Sequence, residues 1–240
     1  MLAVIAAVIV VLVLVATSED DDGTVSDSTA SASPTFQPGT GSPHTAPPTA
    51  TLSGDLIELA VPEAGGVVAL TPGNYRTARF QPEAHFAVPE GWSANRDSQR
   101  FLHLFRGGDP DNNCLCLISP DGIVDEDGTF EPLPFGGTVD GMIQWLTGNP
   151  LLSTSNPSSL QVGDLDGRQL TVDLADGDEA VEYLAAGDVR FAVAPGERQH
   201  LTVLAYRQTV LIIAQRSPAE EYSGYFGFTE QIVGGITFAN

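Results

Sequence analysis

Two apolar runs, Leu201–Tyr206 and Thr209–Ala214, stand two residues apart and constrain the fold more than any other stretch. Each has the length of a strand and is dominated by β-branched and large aliphatic residues. Only Arg207-Gln208 separates them, so they should pair as the central strands of a sheet. That dipeptide lacks the Gly or Asn that tight hairpins favour.

Other segments read in the same way. Tyr75–Phe80 and Ala84–Val88 are short strands broken at Pro82, and Pro89-Glu90-Gly91-Trp92 is a turn. Phe101–Phe105, the turn Gly107-Gly108-Asp109-Pro110 and Cys114–Ile118 make a hairpin. Asp121–Gly136 is rich in Gly, Pro and acids and reads as loop. Arg168–Leu174 alternates, with Leu170, Val172 and Leu174 on one face, which marks a strand with one solvated face. Val189–Val193 and Ile236–Phe238 are further strands, and Asp178–Ala186 reads as a short helix or a loop. Two helices stand out. Thr138 can cap one whose apolar positions are Val139, Met142, Ile143 and Leu146. Ser217-Pro218-Ala219-Glu220 is a capping box for a second, with a stripe from Tyr222 to Val233.

Before all this stands Leu2–Ala16, without a charged or polar side chain, ending at Thr17-Ser18-Glu19. At 1.5 Å per residue it spans roughly 24 Å as a helix, enough for an anchor with local bilayer thinning. The expectation is one membrane helix within 1–17. A cleaved signal at Ala16-Thr17-Ser18 is the alternative. Residues 18–54 are Ser, Thr, Pro, Ala, Gly and Asp, with almost nothing to bury, and read as a disordered acidic linker. Residues 55–240 remain for an extracytoplasmic domain, on the outer side of a cell membrane or secreted if the signal is cleaved. The net charge is −21, and all ten basic residues are Arg. Five of the 31 acids precede Asp55, leaving 26 against ten bases in the domain. Such a field repels nucleic acid and anionic headgroups.

Chemistry is sparse. There is no nucleophile elbow, metalloprotease helix, P-loop or dinucleotide fingerprint. Cys114 and Cys116 lie two apart on a strand, at the limit of bridging, and are expected as free core thiols. A Cys-x-Cys copper site would need further soft ligands, and none stands nearby in the sequence. His85 and His103 could meet across a sheet and bind a metal with a carboxylate, whereas strand histidines are more often packing residues. The acidic groups 109–113, 121–127, 164–167 and 176–179 suit turns and fit no EF-hand loop. Phe86, Trp92, Phe101 and Phe105 read as core. No catalytic, cofactor-binding or metal residue is therefore assigned, and no cofactor is expected.

Leu70-Thr71-Pro72-Gly73-x-Tyr75, Phe80-x-Pro82 and Val88-Pro89-x-Gly91-Trp92 nevertheless form an ordered pattern. It continues in Trp145-Leu146-x-x-Asn149-Pro150-Leu151 and Val162-Gly163-x-Leu165-x-Gly167-Arg168-x-Leu170. The pattern resembles bacterial cell-envelope proteins with a membrane anchor and a PsbP-like domain. The resemblance implies an α+β fold, an antiparallel sheet flanked by two or three helices, and no assigned activity. Those relatives favour a Gly-containing turn where this chain has Arg207-Gln208. The alternative architecture is an all-β sandwich without the two helices. The expected function is a membrane-tethered, non-catalytic binding or accessory module with an envelope protein or a glycan as partner. The alternative is an extracellular hydrolase, recognisable if His85, His103 or His200 shared a concave pocket with two or more acids.

Overall fold

The computed structural model describes residues 54–62 and 66–239. The anchor expected in 1–17, and all of the expected linker except Gly54, lie outside them. Among the described residues no helix is long and apolar enough to cross a membrane.

In chain order the first strands are β1 (Ile57–Leu59), β2 (Val68–Ala69), β3 (Gly73–Thr77), β4 (Ala84–Val88) and β5 (Trp92–Asp97). Then come β6 (Phe101–Arg106), β7 (Cys114–Ile118), β8 (Gly122–Val124) and β9 (Phe130–Pro132). Helix α1 (Val139–Gly148) leads to β10 (Leu152–Thr154), β11 (Ser158–Val162), β12 (Leu165–Leu174), β13 (Val181–Ala186) and β14 (Val189–Val193). The chain closes with β15 (Glu197–Tyr206), β16 (Thr209–Pro218), α2 (Tyr222–Val233) and β17 (Thr237–Phe238).

The apolar hairpin forms as expected: β15 and β16 pair antiparallel from Glu197↔Pro218 to Tyr206↔Thr209. Arg207 takes a φ of +52° at the turn. That costs a non-glycine residue roughly 1–2 kcal/mol, and a ladder ten residues long outweighs it. The pair sits inside a nine-stranded sheet of order β10-β12-β15-β16-β7-β6-β5-β2, with β11 also on β12. Strands this apolar must be covered on both faces. On one face, Leu204, Leu211, Ile213, Leu115 and Leu117 pack with Tyr75, Phe80, Phe86 and with Tyr225 and Ile232 of α2. That cover is the sheet β1-β3-β4-β17. On the other, Val203, Ile212, Cys114 and Cys116 pack with Tyr183, Leu184, Phe191 and with Met142, Ile143 and Leu146 of α1. This second cover is the sheet β14-β13-β8-β9.

The expected helix-flanked α+β sheet is thus overturned. Strands dominate the described residues, and each face of the middle sheet is covered mainly by another sheet, with one helix beside it. A helix-free sandwich is not the outcome either, because both helices form. The misreading has a physical source. Glycine- and acid-rich Asp121–Gly136 contains β8 and β9, Asp178–Ala186 contains β13 rather than a short helix or a loop, and β5 follows the Gly91 turn at once. These short strands carry little apolar alternation of their own, and the pairing Leu184↔Ile123, between segments about sixty residues apart, joins two of them.

Local signals did place α1. Thr138 Oγ1 accepts the Gly141 N–H at 3.2 Å, and Met142, Ile143 and Leu146 are buried. The capping box at Ser217 does not form. Ser217 and Pro218 extend β16 opposite Arg198 and Glu197, and α2 starts at Tyr222 without a side-chain cap. The strand expected through Phe80 ends at Thr77, because the Asp97 carboxylate captures the N–H groups of Ala78, Arg79 and Phe80 at 2.8, 3.1 and 2.9 Å. Burial outweighs these bonds and holds the Asp97 carboxyl above its ordinary value.

Gly167, expected in a turn, lies inside β12, facing Leu204 of β15. A Cβ there would stand 2.4 Å from the Val203 carbonyl oxygen and 2.8 Å from Leu204 Cδ2. Gly167→Ala should therefore cost about 1–3 kcal/mol, since the ladder has to part to admit a methyl group. Urea unfolding reads this, and an unchanged midpoint would contradict so close an approach.

Candidate binding groove and a buried thiol–imidazole cluster

Among the described residues a groove of about 660 Å³ lies where the end of the β6–β7 hairpin meets the start of α2. That size lies in the ordinary range for small-ligand sites. Gly91, Arg106, Gly107 and Asn113 line one side, and Glu220, Glu221, Gly224, Tyr225 and Phe228 the other. The glycine-rich turn after Arg106 keeps that side low. The helix brings Tyr225 inward and leaves Phe228, three residues on, 43% exposed at the rim. Arg106 lies over the Phe228 ring, its guanidinium carbon 3.8 Å from the centroid. Asn113, at a φ of +41°, donates from Nδ2 to Glu221 Oε2 at 2.9 Å. Its Oδ1 and the Tyr225 hydroxyl are buried without a hydrogen-bond partner. Burial holds the Tyr225 phenol well above its ordinary value, so it stays a neutral donor. The groove residues thus carry one cation, two carboxylates and an aromatic ring, together with an unpaired hydroxyl and an unpaired amide oxygen that are buried in its wall.

The three domain histidines are scattered. His85 on β4 sits 2.6 Å from Glu83 through Nε2, turned away from the core that Ala84, Phe86 and Val88 enter. His103 belongs to β6 of the middle sheet, so His85 and His103, which the sequence allowed to meet, do not. His200 is buried, with Gln169 Oε1 3.1 Å from Nε2 and the Tyr222 hydroxyl 3.1 Å from Nδ1. Phe226 stands edge-on to its ring, and burial pushes the imidazole down to about 4. None of the three lines the groove. The acidic groups mostly serve turns: Asp109 accepts from the Asp111 N–H at 3.0 Å, and Asp125 from the Asp127 and Thr129 N–H groups at 3.0 and 2.7 Å. Phe86, Trp92, Phe101 and Phe105 are core residues, as expected.

Cys114 and Cys116 are free and buried, with their sulfurs 3.8 Å apart. Among the described residues they and His103 form the one group with metal-ligand geometry, all three ligand atoms lying within 4.8 Å of one another. The sequence hid this third ligand, because only the hairpin register places His103 opposite Cys116. The groove residues were missed as well. Phe228 carried a signal, being a bulky aromatic off the buried stripe of α2. Arg106, directly before two glycines, carried another.

No protein-family model matches the chain, and no curated protein matches it. Among solved structures it is similar to cyanobacterial PsbP from Synechocystis sp. PCC 6803. The match has 12% identity and a TM-score of 0.40, over 72% of this chain and 95% of the other, and it does not bear on a membrane anchor or a cell-envelope role. It is also similar to a Bacteroides thetaiotaomicron protein at 10% identity and a TM-score of 0.35, over 65% of this chain and 45% of that one.

Proposed function

We propose that the chain is a membrane-tethered, extracytoplasmic binding module whose groove holds a short neutral glycan segment of the cell envelope. One observation carries the reading: two buried polar atoms, Tyr225 Oη and Asn113 Oδ1, lack partners in the wall of the groove. A buried polar group without a partner costs roughly 1–3 kcal/mol, and sugar hydroxyls can act as both donor and acceptor to such a pair. The part-exposed Phe228 ring gives an apolar surface on which the C–H face of a pyranose can pack. The Glu220 and Glu221 carboxylates beside the groove, and the acidic domain around them, favour a neutral ligand over an anionic one. The tether rests on the apolar run Leu2–Ala16.

The test is titration of the full chain with cello- and chito-oligosaccharides, followed by the fluorescence of Trp92, whose ring lies 6.2 Å from that of Tyr225. Saturable binding is expected in one series. Phe228→Ala and Tyr225→Phe should each weaken it about tenfold, the equivalent of one good contact near 1.4 kcal/mol. No saturation in either series, or full affinity in Phe228→Ala, would reject the glycan reading. Turnover of the sugars would move the chain to the hydrolases.

A further inference from the structure

We infer that His103, Cys114 and Cys116 form a buried, three-coordinate site for a monovalent soft metal ion, copper(I). The site follows from the register of two strands. Cys114 and Cys116 are two residues apart on β7, so both thiols leave the same face. Antiparallel pairing sets His103 of β6 opposite Cys116 and Phe105 opposite Cys114. That face is the one shared with Phe101, Phe105 and Ile118. The sulfurs are 3.8 Å apart. Two metal–sulfur bonds of about 2.3 Å across that gap would subtend an angle near 110°. The imidazole nitrogen lies within 4.8 Å of both sulfurs, so a small swing of the ring completes the set.

A second observation points to a ligand rather than to packing. The Nε2 atom of His103 is buried and has no hydrogen-bond partner. An imidazole kept in an apolar layer at that cost is better explained by a bond the protein makes only when loaded.

The donor set selects the metal. Two thiolates and an imidazole are soft to intermediate ligands, suited to copper(I) or zinc(II). Zinc in a closed site takes four ligands. Here no other His, Cys, Asp or Glu of the described residues joins the three, although Arg216 stands beside Cys114 and is held by Glu197. Copper(I) is satisfied by three soft donors. Loading changes no oxidation state: each thiol gives its proton to solvent, two copper–sulfur bonds and one copper–nitrogen bond form, and the site carries one net negative charge. Arg216 lies beside Cys114 in the register of β16 and β7, where a cation favours the thiolates.

The experiment uses the reduced full chain under anaerobic conditions, with copper(I) supplied as its acetonitrile complex and bicinchoninate as competitor. One copper(I) per chain should be withdrawn from the competitor, with an ultraviolet sulfur-to-copper charge-transfer band. Cys114→Ala and Cys116→Ala should each lower the affinity at least a hundredfold, and His103→Phe at least tenfold. Failure of the natural chain to take copper from bicinchoninate, or undiminished affinity in Cys116→Ala, would overturn the site. X-ray absorption of the loaded natural chain keeps the test independent of how the variants fold. Two sulfurs and one nitrogen around copper support the site, and an oxygen-dominated shell refutes it.

Discussion

Replacing Glu197 by Ala is expected to lower the unfolding free energy by about 3 kcal/mol, the low end of the cost of breaking a buried ion pair from one side. Glu197 receives Arg216 in a two-pronged contact, Nε to Oε1 at 2.6 Å and Nη2 to Oε2 at 2.9 Å. Their side chains are only 13% and 21% exposed, so water screens the pair weakly. The same carboxylate accepts the Ala194 N–H at 3.1 Å and Gln199 Nε2 at 2.6 Å. Gln199 in turn accepts from the buried Tyr183 hydroxyl. Burial alone would lower the Arg216 guanidinium, yet the Glu197 bond and the charges around it carry it above the usual arginine value. Glu197→Ala therefore strands a half-buried cation and loosens a chain of polar groups reaching into the β13–β14 layer. Glu197→Gln should cost less, because it keeps an acceptor, and Glu197→Ala with Arg216→Met should recover part of the loss. Urea midpoints at constant slope measure all three. A shift under about 1 kcal/mol for Glu197→Ala would mean that the pair is solvated after all.

The second large effect is acid sensitivity through His200. Its folded-state value near 4 lies below the ordinary 6.5, because burial disfavours the cation. A depressed base contributes stability that is present above pH 6.5 and is lost as pH falls from 6.5 towards 4. The complete loss is about 3 kcal/mol, and the part between pH 6.5 and 5 about 2 kcal/mol. The neighbours explain why the cation is unwelcome. Gln169 Oε1 accepts from Nε2–H, which leaves Nδ1 to accept from the Tyr222 hydroxyl in the neutral tautomer. Phe226 closes another side. Asp173 and Arg198, which act on the neighbouring Tyr222 together with Glu230, are tied to each other at 2.8 Å, with Arg198 beyond the Tyr222 ring. Since Tyr222 and Phe226 belong to α2, protonation should loosen that helix first. Amide hydrogen exchange at pH 7 and pH 5 should show α2 opening selectively. In His200→Gln the stability difference between pH 6.5 and 5 should fall to less than half. An equal pH dependence in the variant would move the effect to other groups.

Residues close in sequence made much of this legible in advance. The hairpin of β15 and β16, the hairpin of β6 and β7, helix α1 with its Thr138 cap, and the buried unbridged cysteines are fixed by apolar periodicity, turn residues and covalent reach. Those causes act within a dozen residues. The misread elements were decided by pairing that their own residue patterns do not announce. The 217–220 box lost its helix to a longer ladder with β15, where Ser217 pairs with Arg198. The 178–186 segment became a strand because β14 and β8 offered partners. What the sequence by itself determined was the strand-forming core and the polar character of its surroundings. Only the tertiary structure decided the layering, the groove and the cluster. Register brings His103 to Cys116 across a hairpin, and the docking of α2 carries Tyr225 and Phe228 to Arg106 and Asn113 over more than a hundred intervening residues. Such meetings are set by which surfaces bury each other, and no local pattern records them.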